Sequence, residues 1–261
     1  TPFLFGTVGE ILSEKVGHLN LGVEGMMSIG ACAGFMVGYQ TDNFVAALLA
    51  AAVAGMLSAL IYGVLTVTFM ANQNVTGLTL TIFGVGLSNF IGVFMLEKSE
   101  NGTLKLPDAV TAQMRNIHIP GLSDLPVVGE LLFSYNPFVY LGIIIAIVAS
   151  FYLYKTQVGL NVQAIGENPG AADAAGIEVT KWRYINILLS GAICGIAGFV
   201  IVSGASHTIS TATAGGRGFT AIIVAWLSKF NTFIMVAVSF GIVFMDQGAV
   251  QIATQYGLNE N

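Results

Sequence analysis

The chain has 261 residues, of which 55% are hydrophobic and only 9% are charged, with 9 Lys and Arg against 14 Asp and Glu. A soluble domain carries about 25% charged residues, so this composition excludes a soluble enzyme, a nucleic-acid binder, a secreted disulfide scaffold and an intrinsically disordered protein. No charged residue lies between Asn43 and Leu96, a stretch equal to roughly 80 Å of helix against a hydrocarbon core of about 30 Å. The composition predicts an all-α polytopic transmembrane helical bundle.

Apolar segments in the first part of the chain predict a series of spans. We expect the end of a span at 1–12, a span at 18–39 that is interrupted by Asn20 and Glu24, and further spans at 44–70 and 75–96. The whole chain, 1–261, is expected to be one transmembrane domain. It begins with Thr1 and ends soon after an apolar run, so we expect it to be trimmed at both ends and leave the total number of spans open.

The second part of the chain alternates polar segments with spans. A polar segment at 97–135 precedes a span at 137–154, and a polar segment at 155–183 precedes a span at 184–203. The last span, 233–253, carries Asp246, which we expect to lie near a helix end with a structural role.

The segment 204–218 is rich in Gly, Ser and Thr, and the apolar run that follows it has only ten residues. A crossing helix needs about 20 residues, and irregular backbone at membrane depth is tolerated only inside protein or beside a watery cavity. We therefore expect a broken or re-entrant element here, with a surface loop between two ordinary spans as the alternative.

Charge placement indicates the orientation. Cations crowd the span ends around 155–183, at Lys155, Lys181 and Arg183, and the positive-inside rule gives most weight to such positions. We expect 155–183 to be a cytoplasmic loop and 97–135 to be an external loop. Counting spans backwards places Lys15 on the cytoplasmic side as well.

Within the cytoplasmic segment, the residues around 168–176 predict a short helix with defined ends. Asn168 suits the N-cap, Pro169 suits the first helical position, and Gly176 suits the left-handed position after the end. A helix this short is not stable alone in water. It is either a docking element for a cytoplasmic partner or a surface helix resting on its own bundle.

Two runs of residues resemble ABC-type import permeases of the branched-chain amino acid, simple sugar and nucleoside branch. The first resembles the coupling-loop pattern A-x-G-x-N-x-x-A-A-x-x-A-G-I through Ala164, Gly166, Asn168, Ala171, Ala172, Ala175, Gly176 and Ile177. The second, from Gly9 to Met27, is similar to the run G-E-x-x-S-E-R-x-G-x-x-N-x-G-x-E-G-M-M of the nucleoside and simple-sugar members, with Lys15 in place of Arg.

The resemblance implies a permease subunit without an active site of its own, in the bacterial plasma (inner) membrane. A cytoplasmic ABC ATPase would carry the ATP and Mg, while this chain, which lacks the G-x-x-x-x-G-K-[ST] loop, would bind no cofactor. The other implied partners are a second, related but different permease, an extracytoplasmic substrate-binding (lipo)protein and the lipid bilayer, with no nucleic acid. The implied coupling residues are Gly166, Glu167, Asn168, Pro169, Ala171, Ala172, Ala175 and Gly176.

Polar residues within spans are the candidates for a solute pathway. Asn20 and Glu24 are four apart, which predicts a shared helix face; Glu24 either lines the pathway or bonds a helix end as a structural carboxylate. Further candidates, some of which have simple packing or hydrogen bonding as the alternative, are Asn74, Thr76, Phe83, Asn89, Ser206 and His207.

Amide, hydroxyl and aromatic groups suit a nucleoside, since they pair with ribose hydroxyls and base edges and can stack a base. The run from Gly9 to Met27 favours nucleosides over a simple sugar of the ribose or galactose type, which stays the alternative. An ion-gradient transporter would need paired intramembrane acids, and only Glu24 and Asp246 qualify. An intramembrane enzyme is disfavoured because no catalytic or metal-binding spacing occurs in the sequence.

Overall fold

The computed structural model describes residues 1–97, 104–116, 135–206 and 213–256, and these form helices and no strands. This confirms the predicted all-α bundle. The helices are α1 (Pro2–Lys15), α2 (Val23–Thr41), α3 (Phe44–Gly63), α4 (Gln73–Glu97), α5 (Asp108–Thr111), α6 (Pro137–Lys155), α7 (Gln157–Glu167), α8 (Pro169–Ala174), α9 (Val179–Ile201), α10 (Arg217–Leu227) and α11 (Thr232–Tyr256).

Five helical segments in the described residues are long and apolar enough to cross a bilayer. Helices α3 and α9 each run into a π-helical segment, Val64–Thr68 and Val202–Ser206. The five segments are Phe44–Thr68, Gln73–Glu97, Pro137–Lys155, Val179–Gly204 and Thr232–Gln255. The chain is therefore a multi-pass membrane protein.

The centre of the bundle is a close packing of α2, α3 and α9. Gly195 of α9 lies against the backbone of Ala51 and Gly55 in α3, so that a Cβ at residue 195 would lie 3.1 Å from the Gly55 Cα and still nearer to the Ala51 carbonyl. A Cβ on Gly30 of α2 would in turn meet the Gly195 backbone. Lipid tails are as apolar as Leu, so helices in a bilayer are held together by van der Waals contact, which small residues allow at close range. This explains why a chain with 32 glycines builds a tightly packed centre.

Helix α10 is too short to cross a membrane by itself. It has 11 residues, equal to about 16 Å at 1.5 Å per residue, or roughly half of the hydrocarbon core. It packs against α1, α2 and α11, and α11 begins after a turn in which Lys229 and Phe230 both have positive φ. This confirms a broken or re-entrant element after α9, although residues 207–212 of the predicted 204–218 segment lie outside the described part.

The polar segment 97–135 is described only in part. Residues 104–116 contain α5 and a 3₁₀ turn (Ala112–Met114), and Leu104, Leu106 and Val110 are buried with Phe35 of α2 and Ala47 of α3. Asn136 fixes the return of the chain by donating from Nδ2 to the Met114 carbonyl and by accepting the N–H of Phe138 at the start of α6.

Three sequence-based expectations about helix positions are wrong. Helix α2 begins at Val23 and not at residue 18, because residues 16–22 form a turn with Gly17 at φ +86°. Helix α9 begins at Val179, five residues before the apolar run, since polar side chains at the end of the bundle can face water while the helix continues. Asp246 lies in the interior of α11 and is exposed.

Gly195→Ala tests the central packing. The added methyl group meets the Ala51 backbone, so we expect a loss of about 1–3 kcal/mol in the free energy of unfolding, measured as an earlier thermal transition of the purified protein in detergent. Gly241→Ala is the matched control, because a Cβ at residue 241 has nothing within 4 Å. Equal thermal transitions for the two variants would contradict the packing described above.

Candidate functional site

The segment α7–α8 has the local structure that the sequence predicts. The Asn168 Oδ1 accepts the Ala171 N–H at 3.0 Å and Pro169 occupies the first turn of α8. The helix ends in a Schellman motif, in which Gly176 (φ +83°) donates to the Asp173 carbonyl and Ile177 donates to the Ala172 carbonyl. The predicted N-cap and left-handed C-terminal glycine are confirmed, and together they make α8 a short helix with fixed ends.

Two of the predicted coupling residues face the protein itself. Ala172 is 4% exposed and packs in the same cluster as Val162 and Ile165 of α7, so its side chain seats α8 on the bundle. Gly166 contacts the Lys15 carbonyl of α1, with no room for a side chain between the two backbones. The exposed coupling residues, which a partner can reach, are Glu167, Asn168, Pro169, Ala171, Ala175 and Gly176.

The seat of α7 and α8 is the end of α1 and the turn that follows it. A Cβ at Gly17 would lie 3.3 Å from the Gly166 Cα, and the Lys15 ammonium lies 5.7 Å from the centre of the Tyr154 ring in α6. Lys15 and the segment 155–183 therefore lie at the same end of the bundle. That this end faces the cytoplasm stays a prediction from the charge distribution.

The turn at residues 16–22, which we call the α1–α2 turn, is held by side chains from three helices. From α1, the Ser13 hydroxyl donates to the His18 carbonyl and Glu10 accepts the Asn20 N–H. From α3, the Tyr62 hydroxyl donates to the Leu19 carbonyl at 2.8 Å. Helix α4 contributes Gln73, which binds Leu19 N–H and Gly17 C=O, and Thr81, which donates to the Leu21 carbonyl. These bonds satisfy backbone groups that a bilayer cannot.

Asn20 and Glu24 do not share a helix face, so that expectation is wrong. Asn20 is fully buried in the α1–α2 turn, where its Oδ1 accepts the Gly22 N–H at 2.9 Å. Such local side-chain bonding competes with helix formation. Glu24 lies in the first turn of α2.

The Glu24 carboxylate binds the N-terminus of α10. Its Oε1 accepts the Gly216 N–H at 2.8 Å and its Oε2 accepts the Gly218 N–H at 2.5 Å. The first N–H groups of a helix have no partner within the helix and carry a partial positive charge, so the carboxylate is matched to them. This geometry is that of a structural carboxylate at a helix end, one of the two alternatives that the sequence left open.

Helix α4 brings two of the predicted pathway residues together. Thr76 and Phe83 line a cavity of about 360 Å³ between α3 and α4, which also involves Tyr62, Thr79 and Leu80. Phe83 is 53% exposed and stands at the rim, while Thr76 is buried.

The other candidates lie elsewhere. Asn74 is exposed in the first turn of α4, and Asn89 is half-buried farther along α4, away from the residues that line the cavity. Ser206 ends the π-helical segment after α9, but its side chain and the whole of His207 fall outside the described residues.

The sequence did not identify Tyr62 as a hydrogen-bond donor to the α1–α2 turn, or Gly17 as the contact of that turn with α7. Their partners are 43 and 149 residues away along the chain, and no local pattern marks such contacts. Gly17 does belong to the run that resembles the permeases, but that pattern does not say what the glycine touches.

Comparisons with known proteins agree with this architecture. A family model described as "Branched-chain amino acid transport system / permease component" matches residues 1–259. A guanosine ABC transporter permease protein of Bacillus subtilis, NupQ, is 34% identical over 88% of the chain and 72% of that protein. A nucleoside ABC transporter permease protein of Lactococcus lactis, NupC, is 32% identical over 88% and 73%.

A putative glucose ABC transporter permease protein of Haloferax volcanii, TsgC13, is 31% identical over 98% of the chain and 75% of that protein. No solved structure matches the chain. The family match covers nearly every residue of the bundle described above. The chain belongs to this family of permease components of branched-chain amino acid transport systems, and it is a membrane-spanning transport component.

Proposed function

We propose that the chain is the transmembrane subunit of an ATP-driven, binding-protein-dependent importer of nucleosides in the plasma membrane. The observation that carries this proposal is α8, a capped helix of small residues that is exposed on all but its Ala172 side and seated at the end of the bundle where Lys15 lies. Two relatives named for nucleoside or guanosine transport, at 32% and 34% identity, support the solute class.

In this proposal an ABC ATPase on the cytoplasmic side docks on α8 and supplies the energy. Small side chains at Ala171 and Ala175 allow a partner backbone to approach closely, and Asn168 and Gly176 fix both ends of the helix. ATP and Mg belong to that ATPase, and the present chain holds neither. Closure of the ATPase pair displaces α8, which biases the bundle between outward-open and inward-open states.

A second permease subunit and the bilayer cover the apolar surface of the spans. Helices α4 and α11 expose large hydrophobic side chains along their length, including Ile82, Phe90, Phe240 and Phe244. An apolar surface of this extent indicates contact with lipid or with another protein. A related but different permease is the partner that we propose, and an extracytoplasmic binding protein delivers the solute to the opposite end from α8.

The wall of the solute path in this proposal is the cavity-bearing face of α4. Thr76 and Thr79 supply hydroxyl groups and Phe83 supplies an aromatic face, which suit the ribose and base of a nucleoside respectively. No charged residue lies on α4 before Glu97, and this favours a neutral solute. The glucose permease relative supports a second candidate, a sugar importer.

Ala175→Arg tests docking on α8. A long charged side chain on this exposed small residue keeps an ATPase from approaching, so we expect loss of ATPase co-purification with normal membrane insertion. Gln113→Arg, an exposed change in the external segment, is the matched control and should retain the ATPase. Co-purification of the ATPase with Ala175→Arg at the control level would contradict docking at α8.

Competition for uptake tests the solute class. With the complete transporter in vesicles, unlabelled purine or pyrimidine nucleosides should reduce uptake of a labelled nucleoside, and free pentose or glucose should not. Competition by the sugars alone would transfer the assignment to sugar import. Uptake that survives ATP depletion but is abolished by an uncoupler would contradict ATP-driven transport altogether.

Phe83→Ala tests the α4 wall. Removal of the aromatic face should lower nucleoside uptake by about fivefold or more, since stacking of a base on an aromatic ring contributes roughly 1–3 kcal/mol. Ile82→Ala, the neighbouring residue, which is 75% exposed and does not line the cavity, should leave uptake unchanged. A similar loss in both variants would remove Phe83 from the path.

A further inference from the structure

The contact between Glu24 and α10 joins two parts of the chain that are 192 and 194 residues apart. Glu24 is 4% exposed, and a buried carboxylate is stable in a membrane only where donors compensate its charge. Both oxygens are engaged by N–H groups at the start of α10. A substitution at Glu24 therefore acts first on the position of α10.

Helix α10 is pressed directly on α2 at this point. A Cβ on Gly218 would lie 2.5 Å from the Glu24 Cα and 2.7 Å from its Oε2. One turn farther along, the Thr7 hydroxyl of α1 donates to the Ala221 carbonyl at 3.2 Å. A displacement of α1 or of the start of α2 therefore displaces the short helix α10, which we also call the half-helix.

The α1–α2 turn connects the coupling segment, by which we mean α7 and α8 (residues 157–174), to Glu24 as one body. Its carbonyls at Gly17, His18, Leu19 and Leu21 all accept side-chain hydrogen bonds from α1, α3 or α4. A turn held at four of its seven residues cannot absorb a displacement by bending locally. Movement applied at one end is therefore carried to the other, two residues before Glu24.

The coupling segment acts on this turn without an intervening side chain. Gly166, at the end of α7, touches Lys15 and Gly17 through backbone atoms, and Ala172 anchors α8 to α7. A displacement of α8 is thus transmitted to the α1–α2 turn by direct contact between the backbone of Gly166 and the backbones of Lys15 and Gly17.

We propose that Glu24 is a positioning residue that transmits displacement of α8, through the α1–α2 turn, to the half-helix α10. This inference rests on the proposed function, since it takes an ATPase on α8 as the source of the displacement. In this role Glu24 does not touch the solute. It determines how much solute is moved for each ATP hydrolysed and leaves the choice of solute unchanged.

The test uses the complete transporter, with its ATPase and binding protein, in vesicles. Glu24→Gln keeps the shape of the side chain but presents an NH₂ group to one of the two N–H donors. We expect ATP hydrolysis close to that of the unaltered transporter and a fall of about tenfold in solute moved per ATP, the factor that corresponds to one lost charge-assisted hydrogen bond. The half-saturating solute concentration and the order of solute preference should stay the same.

Two further variants complete the design. Glu178→Gln, which removes an exposed carboxylate paired with Lys181, is the matched control and should leave the ratio unchanged. Gly218→Ala pushes α10 away from Glu24 without altering the carboxylate, so it should also lower the amount of solute moved per ATP. It replaces Glu24→Gln as the test if that variant fails to assemble.

Each other outcome overturns the proposal. A proportional fall in hydrolysis and uptake would make Glu24 a residue needed only for folding, a changed solute preference would make it part of the path, and an unchanged ratio would remove it from coupling. Failure of the proposed function is distinguishable, because the unaltered transporter would then show no ATP-dependent nucleoside uptake at all.

Hydrogen exchange gives an independent structural test of the proposal. Hydrogen exchange at residues 216–220 should be faster in Glu24→Gln than in the unaltered transporter, and a nucleotide analogue that closes the ATPase should change exchange there only when Glu24 is intact. A nucleotide-dependent change that persists in Glu24→Gln would contradict transmission through this residue.

Discussion

The constraint on which this structure depends is that backbone polar groups inside a membrane bundle must find partners within the protein. Two such places in the described part of the chain are the α1–α2 turn and the turn that leads into α10. Side chains from neighbouring helices bind the backbone polar groups of the α1–α2 turn: Tyr62 donates to it, and Gln73 both donates and accepts. Glu24 accepts the backbone N–H groups at the start of α10. Both elements are therefore tied to the helices around them and cannot move independently of the bundle.

Close packing of small residues is the second physical feature that holds the helices together. Glycines at the α2, α3 and α9 contacts bring backbones together, and the same device recurs where α7 meets the end of α1. Close contacts of this kind transmit displacement well because packed interiors deform little. The tightly packed centre and the contact of α7 with α1 thus have a common physical origin in residue size.

Features set by local chemistry were predictable from the sequence, and those set by distant partners were not. The ends of α8 follow from Asn168, Pro169 and Gly176, because capping acts within a few residues. The expected common face of Asn20 and Glu24 was wrong because a four-residue spacing means a shared face only inside a helix, and Gly17 and the Asn20 amide stop one from forming. The partner of Glu24 lies almost two hundred residues away, and no pattern in one sequence identifies it. Ser206 and His207, in the predicted path, stay predictions.

The contact between Gly166 and the end of α1 has an evolutionary consequence. Since backbone atoms of Gly166 meet those of Lys15 and Gly17, the contact uses no side-chain chemistry, and a replacement segment has to keep only the absence of a side chain at the glycines. Under the proposed docking of an ATPase on α8, a related permease that keeps glycine at residues 17 and 166 can change the exposed residues of that helix, and with them the ATPase that it binds, without changing the contact beneath it. In that proposal, the residues that recognise the ATPase are separate from the backbone contact that receives its displacement.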